Sequence, residues 1–339
     1  MKFGPIPVAE AAGAISAHSV RGAGVSIRKG AVLSKADVGR LAELGLDCVV
    51  AARLEDGDIG EDEAASRLAR ALAGPQVRVE RPFTGRSNLF ASRPGVLAID
   101  RHAIDRINAV DEAVTIATLP AFKPVVEGEM IGTVKIIPYA VAGAVLDRAV
   151  AEAANATLDV KPYEIAHAGV VSTILPGLKP SVVAKTIGSF RDRLAPAGAI
   201  VVAEAETDHL AEPLAAELTK QVAAGCELIV VFGASAIADR RDVIPSAIEA
   251  AGGTVEHFGM PVDPGNLLLV GRIGAVPVIG APGCARSPKE NGFDWILHRL
   301  LARVPVSRQD IAGLGVGGLL MEIVSRPQPR EGGESRDDE

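Results

Sequence analysis

The stretch CELIVVFGASAIADRRDVIP, residues 226–245, is where the chain first becomes legible. Residues 227–232 form a short apolar, β-branched run, the pattern of a strand that a parallel sheet buries on both faces. It stops at Gly233, Ala234, Ser235 and Ala236, small residues that let backbone N–H groups approach an anionic group closely. In open α/β sheets ligands bind in the crevice outside the carboxyl ends of the strands, which makes these four residues candidates for binding. Asp239, Arg240, Arg241 and Asp242 follow at the lip, ahead of a helix expected over 243–251. Asp242 suits the N-cap of that helix because its carboxylate can accept from the free N–H groups of the first turn, and Pro245 is tolerated there. The same segment also satisfies an ordinary αβ repeat without any ligand.

Two further loops carry similar chemistry. MPVDPGN, residues 260–266, precedes an apolar run at 267–270, and APGCARSP, residues 281–288, follows another at 276–280. One Pro-Gly loop is a turn; two of them, each beside a buried-type strand and close to the first loop in sequence, read as walls of one pocket.

FGAS at 232–235, RDVIP at 241–245, DPGN at 263–266 and PVIGAPG at 277–283 resemble, in order and spacing, the motifs of the molybdopterin-binding domain of molybdenum cofactor biosynthesis proteins. Phe232 stands where that family has its first Gly, Asn266 where it has Lys, and Cys284 where it has Asn. Leu175, Pro176, Gly177, Leu178 and Lys179 occupy the region in which catalytic relatives carry an acidic residue, so the departures favour binding over catalysis. The resemblance implies molybdopterin or Mo-molybdopterin as ligand, held by Gly233, Ala234, Ser235, Ala236, Pro264, Gly265, Asn266, Pro282, Gly283, Cys284, Arg286, Ser287 and Lys289. Arg286 or Lys289 would meet the phosphate of the pterin. The alternative it implies is a Mg²⁺- and ATP-dependent molybdopterin adenylyltransferase or molybdate-insertion enzyme. Asp239 and Asp242 would then be the catalytic carboxylates, with Asp242 at the metal.

Residues 28–53, RKGAVLSKADVGRLAELGLDCVVAAR, resemble an element of the larger molybdopterin insertion enzymes. The chain as a whole is similar to the front part of longer proteins in which a molybdenum cofactor cytidylyltransferase follows. That likeness implies a cytidylyltransferase or a molybdoenzyme as partner, and a homo-oligomer.

Composition narrows the remaining classes. With 339 residues the chain has room for two domains, and 48% hydrophobic residues with 36 Gly indicate a folded, tightly packed protein. A formal net charge of −7 and the lack of any run of five Lys or Arg argue against a nucleic-acid partner. Cys48, Cys226 and Cys284 are scattered and odd in number, which fits neither a disulfide framework nor a zinc ribbon and suits a reducing cytoplasm. No apolar run approaches the ~20 residues of a membrane span. GxSxG, HExxH and CxxC motifs are absent, leaving hydrolase and zinc readings without support.

Regular βα alternation sets in near residue 162. Strands are expected at 167–174 and 199–203, a helix at 180–194, and a helix at 209–224 capped by Asp208. The fold expected for residues 159–324 is α/β, a doubly wound mostly parallel sheet with helices on both faces. Residues 1–158 read as a more β-rich α+β domain, with helices at 8–20, at 35–44 behind a Ser34 cap, and at 141–155. Within it, the acidic segment 56–63 is either a metal loop or a helix N-terminus rich in carboxylates. Arg81 and Arg86 flank a Gly in a segment that is either a phosphate-binding loop or a polar surface loop. Cys284 is either activated by Arg286 or present for its small size. Residues 325–339 read as a disordered acidic tail.

Overall fold

A computed structural model describes residues 1–22 and 24–320; the tail expected at 325–339 lies outside the described residues. Contacts divide the chain into two compact units, Met1–Pro162 and the residues from Tyr163 onward. The expected boundary at 158 coincides with the start of the strand Leu158–Pro162, which pairs along Gly95–Ile99 and so remains with the first unit.

Strand pairing in the first unit is antiparallel throughout its described residues. Two cores sustain it. A small one, built from Val8, Ala14, Leu33, Leu41 and Ala51 among others, lies under Lys2–Pro7, Cys48–Arg53 and the helix Lys35–Glu43. Ser34 caps that helix as expected, in a reciprocal capping box with Asp37. A larger core gathers Leu68, Leu89, Leu97, Ile131 and Leu146. The helix expected at 8–20 does not form beyond one turn, Val8–Glu10. Its backbone bonds sideways instead: the Gly13 N–H donates to the Leu33 carbonyl, and the Leu33 N–H to that of Ala14. The acidic segment resolves as a helix start, with Glu61, Asp62 and Glu63 in the first turn of Glu61–Leu72. The segment around Arg81 and Arg86 is a β-hairpin, closed by paired backbone bonds between Phe83 and Arg86.

The second unit contains β1 (His167–Ile174), α1 (Pro180–Leu194), β2 (Ile200–Asp208), α2 (Ala211–Ala223), β3 (Leu228–Phe232), α3 (Val243–Ala250), β4 (Thr254–Phe258), β5 (Leu269–Ile273), β6 (Val276–Ala281), α4 (Gly292–Leu301) and α5 (Arg308–Ala312). Its sheet has the order β2-β1-β3-β6-β5-β4. β2, β1, β3 and β6 are parallel neighbours, whereas β5 runs antiparallel to both β6 and β4. The result is a mixed α/β sheet, and the expectation of a doubly wound mostly parallel one is met only in part. The reason is the short link at Gly274 and Ala275, since Ile273 pairs with Val276 and a two-residue connection makes a hairpin, not the long crossover that parallel strands need.

Alternation along the strands separates two faces. Leu228, Val230 and Phe232 point with Ile279 toward a core shared with α1 and α4, while Ile229, Val231 and Val278 point toward α2 and α3. β2 runs beyond the expected 199–203, because Thr207 and Asp208 still pair with Thr173 and Ile174. Asp208 therefore ends a strand and does not cap a helix; α2 begins at Ala211 with no side-chain cap. No helix among the described residues is long and apolar enough to cross a membrane.

Candidate functional site

A cavity of about 640 Å³ opens beside the carboxyl ends of the parallel strands, between the start of α1, Pro264 and the segment that follows β6. Its volume lies in the range of small-molecule sites, ~300–1,000 Å³. Of the residues expected at a ligand, Pro264, Gly283, Cys284, Arg286, Ser287 and Lys289 line it. Ser181, Val182, Lys185, Thr186, Glu290 and Asn291 complete the wall. The four from α1 form no motif in the sequence, although β1 ends at the same edge as β3 and delivers α1 to it.

Each wall has its own support. α1 begins with Pro180 at its first position, where the missing N–H costs nothing, and Lys179 gives no side-chain cap. The segment after β6 makes a single 3₁₀ turn, Gly283–Arg286, behind Pro282. Asn291 then caps α4 by accepting from the Phe293 N–H, while its amide donates to the Lys289 carbonyl at 3.0 Å. Beneath this segment lies Arg193 of α1. It is 9% exposed, pairs with Asp294 at 2.6 Å, and donates to the carbonyls of Ser287 at 2.5 Å and Lys289 at 3.3 Å. A buried, fully partnered arginine thus fixes the backbone that carries half the cavity wall.

Arg286 is arranged differently. Its guanidinium donates to Thr186 Oγ1 at 3.1 Å and to the Gly233 carbonyl at 2.8 Å, and it stands over the Phe232 ring. Burial lowers its pKa from the ordinary value with no acidic partner to oppose the effect. Among the described residues no carboxylate lies within ion-pair distance of Lys185, Arg286 or Lys289. Glu290, the one acid on the wall, accepts from the Trp295 indole N–H at 2.9 Å.

The other expected residues lie apart from the wall. Gly233 touches it only through its carbonyl, and the Ala234 N–H donates to Thr173 Oγ1, which in turn meets His209 Nδ1 at 2.8 Å. Ser235 and Ala236 are exposed, as is Asn266. Gly265 serves packing: at φ +141° it approaches α4 so closely that a Cβ would lie 2.9 Å from the Gly292 backbone. Pro282 is buried ahead of the 3₁₀ turn. Asp239 is tied to Arg241 at 2.8 Å, and Arg240 donates to the Val255 carbonyl. Asp242 caps α3, with Oδ1 accepting from the Val243 N–H at 2.7 Å and Oδ2 from the Ala238 N–H at 3.0 Å. No cluster of three or more His, Cys, Asp or Glu side chains suited to a metal occurs among the described residues.

Activation of Cys284 by Arg286 is not what the surroundings produce. Burial pushes the Cys284 thiol above its ordinary value, and Asp294 adds to that push, so the group stays protonated at neutral pH.

Fold and cavity together define a mixed α/β protein with a cationic strand-end pocket. Residues 5–53 match the model of a domain of unknown function (DUF8806), a segment that coincides with the small N-terminal core. The comparison with curated proteins found no match. Among solved structures, this chain is similar to the molybdopterin biosynthesis MoeA protein from Pyrococcus horikosii, at 16% identity over 89% of this chain and 75% of that one, with a TM-score of 0.30. A likeness of that size carries no argument about fold or function.

Proposed function

We propose that the chain binds molybdopterin or its molybdenum-loaded form in the cavity beside α1, and that it takes part in the biosynthesis or delivery of the cofactor. One observation carries this reading. Pro264 from the DPGN loop and Gly283, Cys284, Arg286, Ser287 and Lys289 from the APGCARSP loop share the wall of one cavity of about 640 Å³. They come from the loops whose motifs resemble the molybdopterin-binding domain. In this reading the second unit is that domain, the first is its α+β companion, and a cytidylyltransferase or a molybdoenzyme receives the cofactor.

The test uses Gly283→Trp. A Cβ at Gly283 meets nothing within 4 Å, so the indole would fill the cavity without disturbing the core. Molybdopterin should raise the melting temperature of the wild-type protein and leave that of Gly283→Trp unchanged. Ser235→Trp, off the wall, should respond like wild type. An equal response from all three proteins would place the ligand elsewhere. Incubation with molybdopterin, ATP and Mg²⁺ addresses the competing reading: turnover to an adenylylated pterin would make the chain a transferase.

A further inference from the structure

We propose that the free edge of β2 docks an extended segment of a partner protein, one in which Lys or Arg alternates with apolar residues. The inference concerns a different part of the second unit from the cavity and holds whatever the cavity binds.

The two edges of the sheet are finished differently. β4 is five residues long, is irregular between Val255 and His257, and receives Arg240 on its Val255 carbonyl at 3.3 Å. Shortness, a bulge and a covering charge are ways in which proteins keep a sheet edge from pairing. β2 is nine residues long, about 30 Å, and contains neither Pro nor Lys. Among the described residues its only neighbouring strand is β1, and no loop backbone bonds to residues 201–207. Its one irregularity, at Val202, leaves residues 203–208 in unbroken register.

The side chains of that stretch specify what fits beside it. Register with β1 sets Glu204, Glu206 and Asp208 level with Val170, Ser172 and Ile174, on the α1 face. It sets Ala203, Ala205 and Thr207 level with Gly169, Val171 and Thr173, on the α2 face. One face of the edge is thus a row of exposed acids and the other a row of small residues. Glu204 pairs with Arg191 of α1 at 2.6 Å, whereas Glu206 and Asp208 have no basic partner among the described residues. Apolar side chains stand in water at both ends of the row: Ile200 is 59% exposed, Val202 46% and Leu210 59%.

The acids decide the occupant. In a full-length antiparallel pairing with a second copy Glu204 would face Glu204, and in a parallel pairing in register every acid would lie beside its twin, so the row rejects β2 itself. Lys or Arg at alternate positions of an incoming strand reverses the sign of each of these contacts. The intervening residues fall on the α2 face, where Ala203 and Ala205 leave room for bulky apolar groups. Main-chain hydrogen bonds along the free edge supply affinity in such a complex, and the side-chain rows supply specificity.

The probe is an acetylated, amidated nonapeptide of alternating Lys and Val, with its Glu and Val counterpart as control. Binding to the full chain is read from the fluorescence anisotropy of the labelled peptide, and its place from amide hydrogen exchange. The Lys peptide should bind, less tightly with added KCl, and should slow exchange in residues 200–208 while leaving 254–258 unchanged. The Glu peptide should not bind. Glu206→Lys/Asp208→Lys, which breaks no ion pair, should weaken the Lys peptide about tenfold and admit the Glu peptide. Glu249→Lys, an exposed reversal on α3, should change neither result. No binding of the Lys peptide, equal binding of the two peptides, unchanged affinity in the double variant, or protection outside residues 200–208 would each overturn the proposal. Self-association of the chain that protects β2 without any peptide would overturn it as well, by making a second copy the occupant.

Discussion

Two charged corners, one in each unit, gather cations around a tight loop and come out differently. In the first unit Lys135 donates to the Thr84 carbonyl at 2.6 Å and stands 3.6 Å from Glu61, while the Gly85 N–H donates to Asp62. Lys135 and Asp62 each have a partner within the unit, and the hairpin tip is held onto the start of a helix. In the second unit Arg286, Lys185 and Lys289 have no acidic partner among the described residues. A self-neutralised corner explains itself as structure. The second keeps its positive charge on the wall of the cavity.

The largest expected effect comes from Arg193, the partnered arginine beside the cavity. Arg193→Met strands the buried Asp294 carboxylate and should cost about 3–5 kcal/mol in urea unfolding. Arg286→Met strands no acid and should cost ~1 kcal/mol or less without ligand. Similar losses in the two variants would erase the contrast between them.

Next comes the hairpin tip. Gly85 has φ +70°, and a Cβ there would overlap Glu61 Oε2 and lie 2.8 Å from the Ile136 carbonyl oxygen. Gly85→Ala should therefore destabilise the chain by about 1–3 kcal/mol. A loss near zero would mean that the tip is not docked on Glu61.

Asp242 belongs with the self-satisfied groups by its hydrogen bonds. Asp242→Ala should cost about 0.5–2 kcal/mol and Asp242→Asn only a few tenths, since Asn caps about as well. A loss of ligand response in Asp242→Asn at unchanged melting temperature would move it into the site.

The smallest effect is a matter of pH. Burial pushes the Glu61 carboxyl above its ordinary 4.5, outweighing the opposing pull of Lys135. The folded chain then holds this proton more tightly than the unfolded one, so stability falls as pH rises from 4.5 through the raised value, and the penalty is complete above it. Glu61→Gln removes the penalty. The urea midpoint should rise slightly at pH 8 and match wild type at pH 4; a drop at pH 8 would show that the attraction of Lys135 prevails.

Local signals fixed most elements in advance, because they depend on neighbours in sequence. Ser34 before Lys35, Asp242 before Val243, and the apolar run at 227–232 each announced a cap or a buried strand. The two Pro-Gly loops pointed to one cavity, and both contribute to it. Tertiary pairing decided the rest. Residues 8–20 have helical composition but bond to 31–33, and β2 runs on to Asp208 because β1 lies alongside it. The charge of the pocket was the least legible feature. Arg193 and Arg286 look alike in the sequence, and only the fold sets a carboxylate 101 positions away against one and leaves the other facing a cavity. Whether a charge is structural or available depends on what lies within a few ångströms of it, and that distance is a property of the folded chain.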